Sequence, residues 1–588
     1  MRAAADSLVR EGLAHHQAGR LEEAGRLYEQ ALALESRHPD ALHLSGLLAL
    51  HVGSAALAVE RIRAAVALQP KNWAFRANLG SALLQLNDPE GALEAFRTAA
   101  RLNPGEPQLQ IGTANCLALR GDFAGAELQL RKAVRRQPGL AAGWFNLGNA
   151  VRNQGRIEEA AKIFERAVQL EPDNPDARLN LGSVVHQLQR FDEAIDHYRA
   201  AMRLRSDDIK AHCNLASVLI DVGRFTEGEA AAREALRLDP QSLPAHSMLA
   251  AALSSQGRVR DALPVYRAAV VLAPADARLG IALGSALFEA GKTHEGIERL
   301  RRIQEHEPDS PAIHQALAWA YLATGDFDGG WREYRHRPAR GRLSEKQHGI
   351  ELTVALPTDL RGKHVCVLRE QGLGDELFFA RFTRTLIARG AAVSYRSDPR
   401  LVDMLRRTAL FTHVIPSEAL LPPADHYVLL GDLPLALRSP VKPGELDTPP
   451  SLTLTALPET LDEVREQLSA AGPPPYIGLT WRGGIAPEQN RGANWAFFKH
   501  IRLEELADSL RDVRGTMLVL QRQPNPGEIE LFSERLRRPA HDFSALNGDL
   551  EAMLALLSLL DDYVGVSNTN MSLGNRWRCA ILTFSSSV

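Results

Sequence analysis

Two residue types keep a common period through the first 335 residues of the chain. Prolines stand at Pro70, Pro104, Pro138, Pro172, Pro240, Pro274 and Pro308, each 34 residues after the last except for one interval of 68, where Ser206 holds the skipped place. Glycines at Gly19, Gly53, Gly121, Gly155, Gly223, Gly257, Gly291 and Gly325 share that register, with Asn87 and Gln189 in the two gaps. A period of this length means that each unit is one supersecondary element whose apolar face is buried only by its neighbours. The chain is thereby committed to an elongated α-solenoid with a long concave surface over residues 1–335.

The best-formed unit reads Trp144, Leu147, Gly148 and Val151, then Gly155, Ala160, Phe164, Ala167 and Pro172. This resembles the tetratricopeptide repeat (TPR) consensus. Its small residues let two antiparallel helices approach, the Gly-Arg or Gly-Asp pair turns between them, and the proline ends the second. Ten such units fit between about Ala3 and Arg335, and the resemblance implies a superhelix whose groove binds peptide or protein.

One position on the first helix of the unit carries a side chain suited to that task. Asn78, Asn146, Asn180 and Asn214 are separated by multiples of 34 residues, the last three consecutively. A carboxamide donates to and accepts from an extended peptide backbone at once. The row resembles the asparagine ladder of the O-linked N-acetylglucosamine transferases. The plainer reading, an asparagine tolerated at a semi-exposed position, stays open, because Leu44, Gly112, Met248, Ala282 and Ala316 interrupt the row.

The tenth unit ends Gly325-Asp326-Phe327, then Gly330-Trp331 and Tyr334-Arg335, richer in aromatics than the others, as expected of a repeat that abuts another domain. Residues 336–362 read as a basic connector. A new pattern then begins. His364 to Glu370 alternates as a strand, Gly372 and Gly374 supply a turn, and Leu377, Phe378, Phe379, Phe382, Leu386 and Ile387 recur as one helix from Glu376 to Gly390. Such a unit opens a parallel α/β layer with its turn where open sheets place ligands. Further strands are expected at 392–395, 412–416, 425–430, 476–481, 517–521 and 563–566, with helices at 399–408, 503–510 and 550–560 and a loop at Gly431 to Pro434. Residues 363–440 and 476–588 thus form two small Rossmann-like halves, joined by a Pro-rich crossing at 441–475.

The order of EQGLGDELFFARF, Pro-rich crossing, IGLTWRGG, LVLQR and DDYVGVSNTN behind such repeats resembles bacterial TPR proteins with a GT-B glycosyltransferase domain of the heptosyltransferase type. The resemblance implies sugar transfer from a nucleotide sugar, with inversion and without metal. Asp375 matches the proposed general base, with Gln371, Gly372 and Gly374 forming the acceptor-side loop. A carboxylate there has a second reading as a plain helix cap. On the donor side Arg482, Gly483, Gly484, Lys499 and Gln521 offer charge and close amides to a diphosphate, as do Ser567, Asn568 and Thr569 at a helix start; Arg491 is a further cation. After Met571 the sequence departs from the family: the expected histidine is absent, and the second half reads as incomplete, through either a shifted reading frame or degeneration.

Several classes fall away. Gly372-x-Gly374 meets Leu377 where a dinucleotide fingerprint needs glycine, and no GK[ST] follows. A net charge of -3 gives no reason to expect nucleic acid as a partner, and no run of about 18 apolar residues suggests membrane insertion. Cys116, Cys213, Cys366 and Cys579 are too scattered for a zinc site, so a cytoplasmic protein without cofactor is expected, its nucleotide sugar being a co-substrate. Two functions remain, a glycosyltransferase acting on a protein or glycan, and an interaction scaffold with a degenerate transferase fold.

Overall fold

The computed structural model describes residues 1–337, 340, 350–370, 372–438, 452–482 and 501–566. By contacts the chain divides into two compact units, residues 1–219 with 230–240, and residues 220–229 with 241–588. Twenty helices, α1 (Arg2–Gln17) to α20 (Phe327–Tyr334), run in ten pairs. The sequence dictates their ends. Side chains of Asn72, Asp88, Asp122, Asn174 and Asp276 cap helix N-termini by accepting backbone N–H bonds. Gly155 at the turn has φ +79°, and Asn87 and Gln189 adopt the same left-handed backbone at φ 61° and 60°. Within a pair, Gly148 lies under the Phe164 ring, where a β-carbon would come within 2.7 Å of it.

Among the described residues the second unit carries eight strands in two four-stranded parallel sheets. The first has the order β3-β2-β1-β4 and the second β7-β6-β5-β8. The strands are β1 (His364–Leu368), β2 (Ala392–Ser397), β3 (His413–Pro416), β4 (His426–Leu429), β5 (Tyr476–Thr480), β6 (Thr516–Val519), β7 (Ala540–Asp542) and β8 (Asp562–Gly565). β1 pairs with β2 on one side and β4 on the other, as β5 does with β6 and β8.

Four local readings change. The helix expected from Glu376 to Gly390 begins earlier and breaks in two, as α21 (Leu373–Ala380) and α22 (Thr383–Ala388). Thr383 Oγ donates to the Ala380 carbonyl at 2.6 Å, a local bond that competes with the helix ladder. The expected loop at Gly431 to Pro434 is a 3₁₀ turn leading into α24 (Leu433–Ala436), after α23 (Val402–Arg407). The Pro-rich crossing contains α25 (Pro458–Ala471), fourteen residues starting on a proline, where the missing N–H is no loss. β7 and α27 (Glu528–Leu536) lie outside the elements the sequence pattern predicts, while α26 (Leu503–Leu510) and α28 (Leu550–Leu559) match it.

The tenth repeat meets the first sheet as its aromatic content suggests. Trp331, 8% exposed, belongs to the same apolar cluster as Val365, Val367, Leu377 and Phe382. Its ring stands edge-on to Phe379 at 5.8 Å, and Tyr334 stacks on Phe379 at 5.9 Å.

Candidate functional site

The turn after β1 is built by a glycine. Gly372, in extended conformation, is the residue ahead of α21, so Asp375 lies inside the first turn and does not cap the helix. There its exposed carboxylate adds negative charge near the positive end of the helix. The next residue, Glu376, is the buried one, 1% exposed. Its carboxylate accepts from Arg369 Nε at 3.0 Å, Ser397 Oγ at 2.5 Å and the Asp398 amide at 3.0 Å. Asp398 in turn pairs with Arg400 at 2.9 Å and Arg369 at 3.2 Å. The hydrogen bond from Arg400 is the main reason its pKa lies below the usual carboxylate value. Burial, then the Glu376 charge, pushes the Tyr395 phenol well up. This network ties the C-terminal ends of β1 and β2. Its sequence signal was Glu376 standing three and four residues before Phe379 and Ala380, on the apolar face of its helix.

A second network lies across the other side of β1. Arg337, read as part of a basic connector, is buried. Its Nε donates to Glu370 at 2.8 Å and one terminal nitrogen to Asp432 at 2.6 Å, while Arg340 reaches Asp432 at 3.0 Å. Burial pulls its pKa down, but Asp432 and Glu370 outweigh that and hold it above the usual guanidinium value. Glu370 follows β1 and Asp432 follows β4, where the strand order reverses.

On the second sheet, Arg482 and Gln521 do come together, but they bind each other's strands. Gln521 Oε1 accepts from the Trp481 and Arg482 amides at 3.0 and 2.9 Å. The Arg482 guanidinium, 5% exposed as a residue, pairs with Glu528 and donates to the Gln523 carbonyl at 2.8 Å. Gln371, Gly483, Gly484, Arg491, Lys499, Ser567, Asn568 and Thr569, with the tail after Met571, lie outside the described residues. Among the described residues no three His, Cys, Asp or Glu gather as a metal site, and no helix is long and apolar enough to cross a membrane.

In the repeats, all four asparagines are half-buried. Asn78 on α5 (Trp73–Gln85) donates to His43 on α3 (Pro39–His51) at 2.8 Å, and Asn180 on α11 (Pro175–Gln187) accepts from Arg152 on α9 (Ala141–Asn153) at 3.0 Å. Both bonds join first helices of successive repeats, so this position faces the wall those helices form. The carboxamides of Asn146 on α9 and Asn214 on α13 (Ile209–Asp221) have no hydrogen-bond partner among the described residues.

Family models for the tetratricopeptide repeat match residues 9–72, 43–107 and 287–330, and the model for the C-terminal domain of cilia and flagella-associated protein 70 matches 107–280. The chain is a TPR protein. Protein FlbA of Caulobacter vibrioides is 25% identical over 288 residues, 45% of this TPR chain and 47% of FlbA. The chain thus spans about half the length of that curated relative. Among solved structures, YrrB, described as a TPR protein with an unusual peptide-binding site, aligns at 24% identity over 32% of this chain and 97% of its own, with a TM-score of 0.29. A TPR protein of Parabacteroides merdae aligns at 17% identity over 41% of this chain and 94% of its own, with a TM-score of 0.35.

Proposed function

We propose that the repeats hold an extended segment of a partner protein along the wall marked by Asn78, Asn146, Asn180 and Asn214. The observation that carries this is the contrast within the row: two carboxamides bridge successive first helices, while those of Asn146 and Asn214 have no partner among the described residues. A half-buried amide with neither donor nor acceptor engaged is suited to a peptide backbone, which satisfies both. Replacing Asn146, Asn180 and Asn214 together with alanine is expected to weaken binding of a peptide selected from a display library against the full chain by about tenfold or more, at about 1 kcal/mol per hydrogen bond. Unchanged affinity in calorimetry would sink the ladder.

A second reading concerns the α/β region, and two observations favour it. The sheets share one strand order, and Asp375 lies exposed at the C-terminal end of β1. In this reading the region is a GT-B-type transferase. The Asp375 carboxylate takes the proton from an acceptor hydroxyl as its oxygen bonds to the anomeric carbon, and the nucleoside diphosphate leaves with the electrons of the broken C–O bond. Because Arg482 and Gln521 tie strands, contacts to the diphosphate fall to Gly483, Gly484, Lys499, Ser567, Asn568 and Thr569. Asp375→Asn is expected to abolish release of nucleoside diphosphate from a nucleotide sugar while partner binding persists. If no nucleotide sugar binds the purified chain, only the scaffold function stands.

A further inference from the structure

We propose that Arg337 is a positioning residue that ties the tenth repeat to the first sheet and sets the place of the Gly372–Asp375 turn. The inference needs no particular reaction at that turn.

Three observations converge. The guanidinium sits where the strand order reverses, between Glu370 after β1 and Asp432 after β4, with all three side chains no more than 4% exposed. Buried carboxylates at neighbouring strand ends repel each other unless a cation lies between them, and a planar guanidinium reaches both at once. Arg340 on Asp432 adds a second cation to the cluster. The backbone also makes room: a methyl group at Gly431 would collide with the Glu370 carboxylate and come within 2.9 Å of the Arg337 guanidinium.

The cluster is anchored at the repeat end as well. Arg337 donates to the Tyr334 carbonyl at 3.2 Å and lies over the Tyr334 ring at 4.6 Å, while Tyr334 stacks on Phe379 of α21. The turn is therefore held at both sides, by Arg337 just past the tenth repeat through Glu370 and by Tyr334 of that repeat through Phe379 in the following helix. The crevice where an open sheet would receive a ligand holds the chain's own arginine.

The test is amide hydrogen exchange on the full chain. In Arg337→Met the amides of Glu376, which donates to the Gly372 carbonyl at 2.9 Å, and Leu377 are expected to exchange at least tenfold faster, and in Arg337→Lys, which keeps the charge but loses the fork, by an intermediate factor. Wild-type protection at Glu376 and Leu377 in Arg337→Met overturns the proposal. Because removing the cation between two buried carboxylates can unfold that variant, the triple variant Arg337→Met, Glu370→Gln, Asp432→Asn, which leaves the partly exposed Arg340 as the charged member of this group, is measured beside it. There β1 to β4 are expected to stay protected while the turn exchanges faster. A turn protected as in the wild type overturns the proposal, and so does loss of protection across all four strands, since the contact then supports the sheet rather than the turn.

Discussion

His43 shows how a single side chain makes the repeats sensitive to acid. It is 8% exposed, stacked on Phe75 at 4.2 Å, and its Nε2 receives the Asn78 amide proton, which requires the neutral ring. Burial pushes its pKa down to about 4, with Asp40 offsetting part of the effect. The unfolded chain titrates near the ordinary value of 6.5. Above that pH the ring is neutral in both states and the site exerts no pH effect; as pH falls from 6.5 to 4 the unfolded state takes up the proton first, so stability declines across that window. The loss is expected to be of the order of 2–3 kcal/mol and to level off below pH 4. Urea unfolding of the full chain at steps between pH 7 and 4, followed by amide protection in α3 and α5, checks it. Protection in His43→Leu should lose most of that dependence.

At the scale of elements, what was legible followed from short-range rules. The repeat helices could be read because glycine, proline and small residues recur at fixed offsets, and even the exceptions kept their role, Asn87 and Gln189 adopting the glycine conformation. The strands other than β7 can be read because each is a short, largely apolar run between turn residues, whereas β7 is Ala-His-Asp. Residues whose role is set by tertiary contact could not. Arg337 looked like one more cation of a basic connector, since nothing local reveals that Glu370 and Asp432, 33 and 95 residues away, converge on it. The alternative reading of Asp375 as a helix cap rests on aspartate being a good one, yet Gly372, three residues earlier, holds the cap position. Arg482 read as a phosphate ligand from its place after a strand, and the carboxylate that claims it, Glu528, comes from a helix missed in the sequence.

For the molecule as a whole, the tenth repeat belongs to two structures at once. In a solenoid each repeat is supported by its immediate neighbours, and the terminal one needs its outer face covered. Here Trp331 supplies that face, and the cover is the core of the first sheet, with Val365, Leu377, Phe379 and Phe382 in one cluster. Deleting the ring therefore acts on the sheet more than on distant repeats. Trp331→Ala is expected to destabilise the region by about 3–5 kcal/mol, the range for a large aromatic truncated to a cavity. Two cysteines report the outcome inside one chain. Cys366 is fully buried in β1, and burial raises its thiol pKa to about 11, so it reacts only when the sheet opens; Cys116, equally buried in α7 (Pro107–Leu119), reports on the fourth repeat. Pulse labelling under native conditions should find Cys366 reacting about a hundredfold faster in Trp331→Ala, with Cys116 at its wild-type rate. Equal acceleration at both would mean that the chain opens as one body and that the junction is not local. No change at Cys366 would mean that the sheet stands without the repeat that covers it.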